Sequence, residues 1–242
     1  EGTDYKTFRP ELVAENATAK AHKQEPIVFD TAFPSFCFAL ATGVGKTRLM
    51  GASIYYLWKT KGYRHFFILS PNITIYDKLR AELRPSHAKY MFTGLSDFPA
   101  PIVFDGDNYV RYNPLQVELG DPAVIFVFNI GKIFTRTDSD FKFHSFSEYL
   151  GDSFSAILQQ MDDLVILMDE SHRYRAPASL KAINNLKPVL GLEYTATPKE
   201  SQKNVLYSFN LAQSIGKFIK TPTVVTRTNL TTSDAEEIDK LK

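Results

Sequence analysis

The sequence predicts an α/β fold in which a mostly parallel, doubly wound sheet is flanked by helices. Short apolar runs recur along the 242 residues and alternate with segments of helical periodicity, which is the pattern of parallel strands joined by crossover helices. A glycine-rich turn follows the first apolar run directly, and polar side chains follow two later runs. Because ligands of such sheets bind at the carboxyl ends of the strands, these turns predict one shared site.

The glycine-rich turn lies between a predicted strand, Phe36 to Thr42, and a predicted helix, residues 48–58. Backbone N–H groups of such a turn and of the first helical turn converge on a phosphate, and glycine lets the phosphate approach closely. Lys46 would reach the β- and γ-phosphates, and the Thr47 hydroxyl would bind Mg²⁺. The predicted phosphate-binding residues are Thr42, Gly43, Val44, Gly45, Lys46, Thr47 and Arg48.

Leu40 departs from the usual phosphate-loop pattern, which has glycine at that position. The alternative interpretation is an accidental glycine-rich turn between a strand and a helix. The lysine–threonine pair, Lys46 and Thr47, stands at the start of a helix, and this context favours the phosphate loop.

Six further strands are predicted after the loop, because each segment is a run of apolar or β-branched residues bounded by turn residues. They are residues 63–70, 101–105, 123–129, 163–170, 189–198 and 222–227. Helical spacing predicts helices between them, with Asn72 as an N-cap and a break at Gly151. The helical segments are residues 11–23, 48–58, 73–83, 146–161, 179–187 and 209–218. Residues 105–114 are predicted as a loop or hairpin and residues 130–145 as irregular structure.

Two acidic residues, Asp169 and Glu170, end the strand formed by residues 163–170. An aspartate at the end of an apolar strand beside a phosphate loop is the usual second Mg²⁺ ligand. The neighbouring Glu170 points elsewhere and would activate the attacking water as a general base. His172 follows within reach of the γ-phosphate region. The alternative for this segment is a solvated acidic turn that closes a strand.

Two hydroxyl side chains, Thr195 and Thr197, end the next predicted strand, which Pro198 closes. They would link the nucleotide site to a second ligand, and the alternative is an ordinary strand end rich in β-branched residues. The order of the motifs along the chain places the phosphate loop, the acids and these threonines at the same edge of the sheet.

Composition limits the classes of function. With 28 basic and 27 acidic residues the net charge is +1, so composition gives no nucleic-acid footprint, and any DNA contact depends on local placement of charge. No run approaches the roughly 18 apolar residues of a membrane span. The single cysteine, Cys37, cannot form an internal disulfide, which favours a reducing compartment. We therefore expect a soluble cytoplasmic protein without a membrane partner.

The segments ATGVGKT, DESH and TATP resemble, in this order, motifs I, II and III of superfamily 2 helicases. With FILSPNITIYDKL, FVFNIGKIF and the segment that ends at PTVVTR, the chain most resembles the helicase part of the Res subunit of type III restriction enzymes. The resemblance implies a RecA-like P-loop NTPase domain over residues 35–227. Residues 1–34 would be a lead-in segment, and residues 228–242 would be a polar tail or the start of a linker to a second lobe.

The resemblance implies a motor that uses ATP and Mg²⁺ to move on double-stranded DNA, in a setting of restriction or phage defence. Lys46, Asp169 and Glu170 would be catalytic, with Thr47 and Asp169 as Mg²⁺ ligands. His172, Thr195 and Thr197 would couple hydrolysis to movement. Residues along the DNA backbone would be Ser70, Pro71, Asn72 and Asn129. The implied partners are a second RecA-like lobe and nuclease and methyltransferase subunits.

The chain also departs from the helicase pattern. Glu11 follows Phe8-Arg9-Pro10 where an adenine-reading glutamine is expected, and the arginine fingers of a second lobe are not recognised. We therefore expect this chain to bind nucleotide but to hydrolyse it weakly. Two alternatives stay open: a nucleotide-dependent switch or interaction module of a defence complex without productive turnover, and a plain P-loop kinase or small-molecule ATPase. Glu170 argues against the switch, and TATP argues against the kinase.

Overall fold

A seven-stranded parallel sheet forms the centre of the protein. The computed structural model describes residues 29–112, 122–129, 134–137, 140–143, 152–199, 202 and 204–220. The sheet strands are β1 (Ser35–Leu40), β2 (His65–Ser70), β3 (Ile102–Asp105), β4 (Val124–Asn129), β7 (Val165–Asp169), β8 (Leu190–Thr195) and β9 (Val205–Phe209). Their order is β3-β4-β2-β7-β8-β1-β9. The predicted parallel sheet is confirmed.

The central strands are apolar throughout because both faces of the sheet are covered. Phe67 of β2, Phe126 of β4 and Ile166 of β7 belong to one buried cluster. Their neighbours along the strands, such as Phe66 and Ile68, belong to a second cluster on the opposite face. Alternation of side chains along each strand divides these continuous apolar runs between the two layers of the core.

Helices cover both faces of the sheet. On one face lie α1 (Lys46–Lys61) and α2 (Ile73–Glu82). On the other lie α3 (Asp152–Gln159) and α4 (Pro177–Asn185). The described residues also contain α5 (Leu211–Ser214) and two 3₁₀ turns, η1 (Tyr109–Arg111) and η2 (Ser171–Tyr174). The predicted doubly wound arrangement is therefore confirmed.

The connection between α2 and β3 is folded back onto α1. The Arg48 guanidinium donates to the backbone carbonyls of Tyr90 and Met91, the second at 3.1 Å. One turn further along α1, a Cβ added at Gly51 would lie 2.5 Å from the Met91 side chain, so glycine is required for this close approach. The Met91 N–H also donates to the Glu82 carbonyl at 2.7 Å. Residues 84–98, which we call the α2–β3 segment, are thereby fixed beside the first turns of α1.

Three of the predictions for local structure are wrong. The helix predicted over residues 209–218 is observed only as α5 (Leu211–Ser214), because Phe209 belongs to β9 and turns follow Ser214. Residues 134–143 contain an antiparallel hairpin, β5 (Phe134–Thr137) with β6 (Asp140–Phe143), where irregular structure is predicted. The edge strand β9 is not predicted. Among the described residues it pairs with β1 alone, and Leu206 and Tyr207 are exposed, so it lacks the continuous buried pattern by which strands are identified.

Other boundaries shift modestly. β1 begins and ends earlier than Phe36 to Thr42, and α3 begins directly after Gly151. Of the loop or hairpin predicted over residues 105–114, the described part is a turn followed by η1. The predicted helix 11–23, the predicted strand 222–227 and the tail 228–242 lie outside the described residues.

Candidate nucleotide-binding site

The turn between β1 and α1 has the backbone of an anion-binding loop. Gly43 and Gly45 have φ values of 87° and 100°, a left-handed conformation that favours glycine. Gly45 is the N-cap of α1, and no side chain caps this helix end or places an acid in its first turn. The N–H groups at the positive end of the helix dipole are therefore directed toward the loop, where they can bind a phosphate.

Lys46 joins this loop to the end of β7. Its Nζ atom lies 3.2 Å from the Glu170 Oε1 atom and 3.4 Å from the Leu40 carbonyl oxygen. Both side chains are largely buried, at 12% and 20% exposed, so this ion pair is less screened than a surface pair. The predicted phosphate-binding lysine and the predicted base therefore meet in the cleft.

Asp169 and Glu170 are neighbours in the chain with different environments. Asp169 is buried at the end of β7, and burial, with the adjacent Glu170 charge, raises the pKa of its carboxyl to about 6. Glu170 has φ 50° and ψ 53°, a left-handed conformation that is unusual for a residue other than glycine. This turn directs Glu170 toward Lys46, and its N–H donates to the Asp169 Oδ1 atom at 3.0 Å.

The donor set near the loop suits Mg²⁺. The Thr47 and Asp169 side chains line one cleft, and Mg²⁺ is typically held by one or two such oxygen ligands together with substrate phosphates and water. A cation beside Asp169 would offset the unfavourable burial of its charge. Among the described residues, no group of three or more His, Cys, Asp and Glu side chains is arranged to hold a metal.

The ends of β7 and β8 are joined through His172. The His172 Nδ1 atom lies 2.9 Å from the Thr195 hydroxyl, 3.5 Å from the Thr197 hydroxyl and 3.5 Å from the Glu170 Oε2 atom. The Thr197 N–H donates to the Thr195 hydroxyl at 3.2 Å. Burial lowers the pKa of His172. The four residues therefore form one polar chain from the predicted base to the end of β8.

The four residues predicted to face DNA lie at the ends of β2 and β4, where Ser70 and Asn129 are register partners. Ser70 is fully buried, and its hydroxyl lies 3.4 Å from the Phe128 carbonyl oxygen. Asn72 is the N-cap of α2 and accepts from the Ile75 N–H at 2.9 Å. The predicted cap is confirmed, while the DNA-facing role of this set, including Pro71, stays a prediction.

The cleft in front of the loop has a volume of about 420 Å³. Six of the seven predicted loop residues line it, and Val44 is the exception; Asp169 and Glu170 line it as well. Its other lining residues were not predicted: Ile75, Lys78, Leu79, Glu82 and Lys89. The first four recur at helical spacing on one face of α2, but no local pattern indicates that α2 lies beside the loop.

Comparison with known proteins identifies the family of the chain. The model of the family described as type III restriction enzyme, res subunit, matches residues 10–200. A probable Res subunit of the HindVIP type III restriction-modification enzyme from Haemophilus influenzae is 46% identical over 57 residues, which are 23% of this chain and 11% of that relative. The Sulfolobus solfataricus SWI2/SNF2 ATPase core in complex with dsDNA is a solved structure with 17% identity and a TM-score of 0.39, covering 72% of this chain and 30% of that one.

The matches therefore cover a minor part of the relatives' length. No helix within the described ranges has the length and apolar composition needed to cross a membrane. The parallel sheet, the phosphate loop at the end of β1 and the family match over residues 10–200 agree with one another. The chain belongs to the family of type III restriction enzyme Res subunits and contains a helicase-like, ATP-binding RecA-like domain of superfamily 2.

Proposed function

We propose that this chain is the first motor lobe of an ATPase that hydrolyses ATP to move on duplex DNA. The observation that carries the proposal is the convergence of the phosphate loop, Lys46 and the Asp169–Glu170 pair in one cleft. The polar chain from Glu170 to Thr195 supports a motor in particular, because it connects the predicted base to a neighbouring strand end.

Lys46 and Glu170 exchange partners when a nucleotide binds. The loop N–H groups hold the phosphates, and the Lys46 ammonium turns from Glu170 to the β- and γ-phosphate oxygens. Glu170 is then free to accept a proton from the attacking water. Mg²⁺, held by Thr47 and Asp169, would neutralise phosphate charge. The remaining loop residues and Arg48 shape the binding surface around the phosphates.

Hydrolysis changes the charge beside Glu170, and His172 lies 3.5 Å from that carboxylate. We infer that His172, Thr195 and Thr197 carry this change to the end of β8. Duplex DNA would lie along the ends of β2 and β4, near Ser70, Pro71, Asn72 and Asn129. Contact with the phosphate backbone requires no sequence reading, which suits a protein that moves along DNA.

The family supplies the setting for this proposal. A type III restriction Res subunit implies a second RecA-like lobe that completes the nucleotide site, together with nuclease and methyltransferase subunits. We infer a cytoplasmic role in restriction and phage defence. Turnover by this chain without the second lobe is expected to be weak, because arginine fingers contribute about 10³-fold or more to related reactions.

Mg²⁺-dependent ATP binding tests the nucleotide site directly, with duplex DNA present or absent. Lys46→Ala is expected to abolish binding, because it removes the cation that faces the phosphates. Glu170→Gln is expected to retain binding and to lose turnover in the full-length protein, because the amide cannot accept the proton. Equal turnover by the wild type and Glu170→Gln would exclude Glu170 as the base.

The same experiment separates a motor from a nucleotide-dependent switch. DNA that strengthens ATP binding, together with turnover that depends on Glu170, supports the motor. ATP binding without turnover in the full-length protein would favour the switch. Binding that Lys46→Ala leaves unchanged would place the nucleotide away from the loop and contradict the proposal.

A further inference from the structure

The cleft has a second basic wall, formed by Lys78 and Lys89 outside the phosphate loop. Lys78 lies on the face of α2 that lines the cleft, and Lys89 reaches the cleft from the α2–β3 segment. Neither residue belongs to a recognised nucleotide-binding motif of the sequence. Both side chains line the same 420 Å³ cavity as Lys46, Thr47 and Asp169.

The position of Lys89 is fixed by the packing of the α2–β3 segment. Arg48, two residues beyond Lys46, holds this segment through the Tyr90 and Met91 carbonyl groups. The close approach at Gly51 adds a second contact between α1 and Met91. Lys89 therefore sits beside the helix that begins at the phosphate loop.

Lys78 is available to a ligand. Its Nζ atom lies 3.9 Å from the Glu82 Oε1 atom, and its side chain is 57% exposed, so this i,i+4 pair is weak. Lys78 and Asp169 line the same cavity, so Lys78 faces the space where the metal and the distal phosphate are expected.

Lys78 and Lys89 decide whether basic or acidic side chains are in the majority around the cleft. Among the described residues, the cleft is lined by four basic side chains, Lys46, Arg48, Lys78 and Lys89, and by three acidic ones, Asp169, Glu170 and Glu82. Without the two lysines of the second wall the acids would outnumber the bases. Lys46 is paired with Glu170 and Arg48 with backbone carbonyls, so Lys78 and Lys89 contribute the cationic groups that are least committed to protein partners.

We propose that Lys78 and Lys89 form a second phosphate-binding wall that contacts the distal end of the nucleotide triphosphate. This inference rests on the proposed nucleotide site and extends it from the loop to α2 and the α2–β3 segment. The pair is expected to favour a triphosphate over a diphosphate, because a triphosphate places one more phosphate group beyond the loop.

The test is the binding of a non-hydrolysable ATP analogue, ADP and inorganic tripolyphosphate, each with Mg²⁺, to single-site variants. Lys78→Gln is expected to weaken binding of the triphosphate ligands about fivefold, the usual order for removing one charge contact at a half-exposed site, and to change ADP binding less than about twofold. Lys89→Gln is expected to act in the same direction. The matched control is Lys61→Gln, an exposed lysine at the far end of α1, about 22 Å from Lys46 at roughly 1.5 Å per residue.

The outcomes separate this inference from the proposed function. Suppose that Lys46→Ala abolishes binding, while Lys78→Gln and Lys89→Gln bind the triphosphate ligands as tightly as Lys61→Gln does. This result overturns the second wall and leaves the nucleotide site intact. No binding by the wild type overturns both. If the lysine variants lose as much affinity for ADP as for the ATP analogue, the two lysines do not contact the distal phosphate. A loss of duplex DNA binding with unchanged nucleotide binding would instead assign the two lysines to DNA.

Discussion

Asp169 and Glu170 show how one backbone conformation gives two adjacent carboxylates different tasks. The left-handed φ of 50° at Glu170 ends β7 sharply and separates the directions of the two side chains. Asp169 remains buried beside the cleft, while Glu170 reaches Lys46 at 3.2 Å. The left-handed conformation of Glu170 is therefore what separates the proposed metal ligand, Asp169, from the proposed base, Glu170.

Replacing the buried carboxylate of Asp169 by an amide is expected to stabilise the fold. The pKa of Asp169 is raised to about 6, so its ionisation costs folding free energy that is fully present above about pH 6 and absent below the unfolded pKa of about 4. Asp169→Asn should therefore raise the free energy of unfolding by about 2 kcal/mol near pH 7. Urea unfolding at several pH values measures this difference, which should shrink as the pH falls through 6 toward 4. A difference that is independent of pH would contradict the assignment.

Residues in the site were predictable where the chemistry is local to the chain. The loop glycines, Lys46, Asp169 and Glu170 are recognised from short motifs at strand ends. Lys78 and the bonds of Arg48 were missed, because they depend on how α2 and the α2–β3 segment pack against α1. No sequence spacing encodes that contact.

At the scale of elements, β8 and β1 pack with little tolerance at Gly191. A Cβ at this position would lie 2.5 Å from the Ser35 Oγ atom, 2.9 Å from the Ser35 Cβ atom and 2.8 Å from the Phe33 ring. Gly191 and Ser35 are register partners in the parallel pair of β8 and β1, and the Gly191 N–H donates to the Pro34 carbonyl at 2.8 Å. β8 and β1 cannot move apart here without loss of this hydrogen bond.

Gly191→Ala is therefore expected to lower the free energy of unfolding by about 2–3 kcal/mol, the range of overpacked cores. Ser35→Gly removes two of the three close contacts, so Gly191→Ala should cost less in that background than in the wild type. Urea unfolding of the two single variants and the double variant measures the coupling. If the losses of the two single variants simply add in the double variant, the contact between Gly191 and Ser35 does not limit the packing.

Elements were predictable in proportion to their burial. β2, β4 and β7 are continuous apolar runs, and the structure buries them on both faces. Within the part of the chain that the structure describes, β9 pairs with β1 alone and has exposed side chains, and β5 and β6 pair with each other. Their local sequences do not identify them as strands, because pairing with a partner strand decides their conformation.

At the scale of the whole molecule, one buried polar network joins distant parts of the chain. Glu193 of β8 is 1% exposed and forms an ion pair with Arg175, which also lies 2.9 Å from Asp30. The Ser35 hydroxyl and the Asn204 amide donate to Glu193, both at 2.7 Å. The network connects the residue after η2 with the first strand and with the start of β9.

Removal of one charge from this network is expected to be costly, because it leaves the other charge buried. Arg175→Met should lower the free energy of unfolding by about 3–4 kcal/mol, and Glu193→Gln should cost about 2 kcal/mol, since Arg175 retains Asp30. The double variant should cost less than the sum of the two. Thermal or urea unfolding checks this order, with the exposed neighbour Arg173→Met as the control. Equal losses for all three single variants would contradict a buried pair.

The attachment of the α2–β3 segment to α1 has a mechanical consequence. Arg48 and Gly51 lie on the first turns of the helix that begins at the phosphate loop, and both contact Met91. Because these contacts hold Met91 against α1, we expect a shift of the first turns of α1 to move the α2–β3 segment as well, including the nine residues between Pro85 and Ser96 that line a shallow surface depression of about 600 Å³. The glycine-rich loop at the start of α1 and this outer depression therefore belong to one packed unit, made of α1 and the α2–β3 segment.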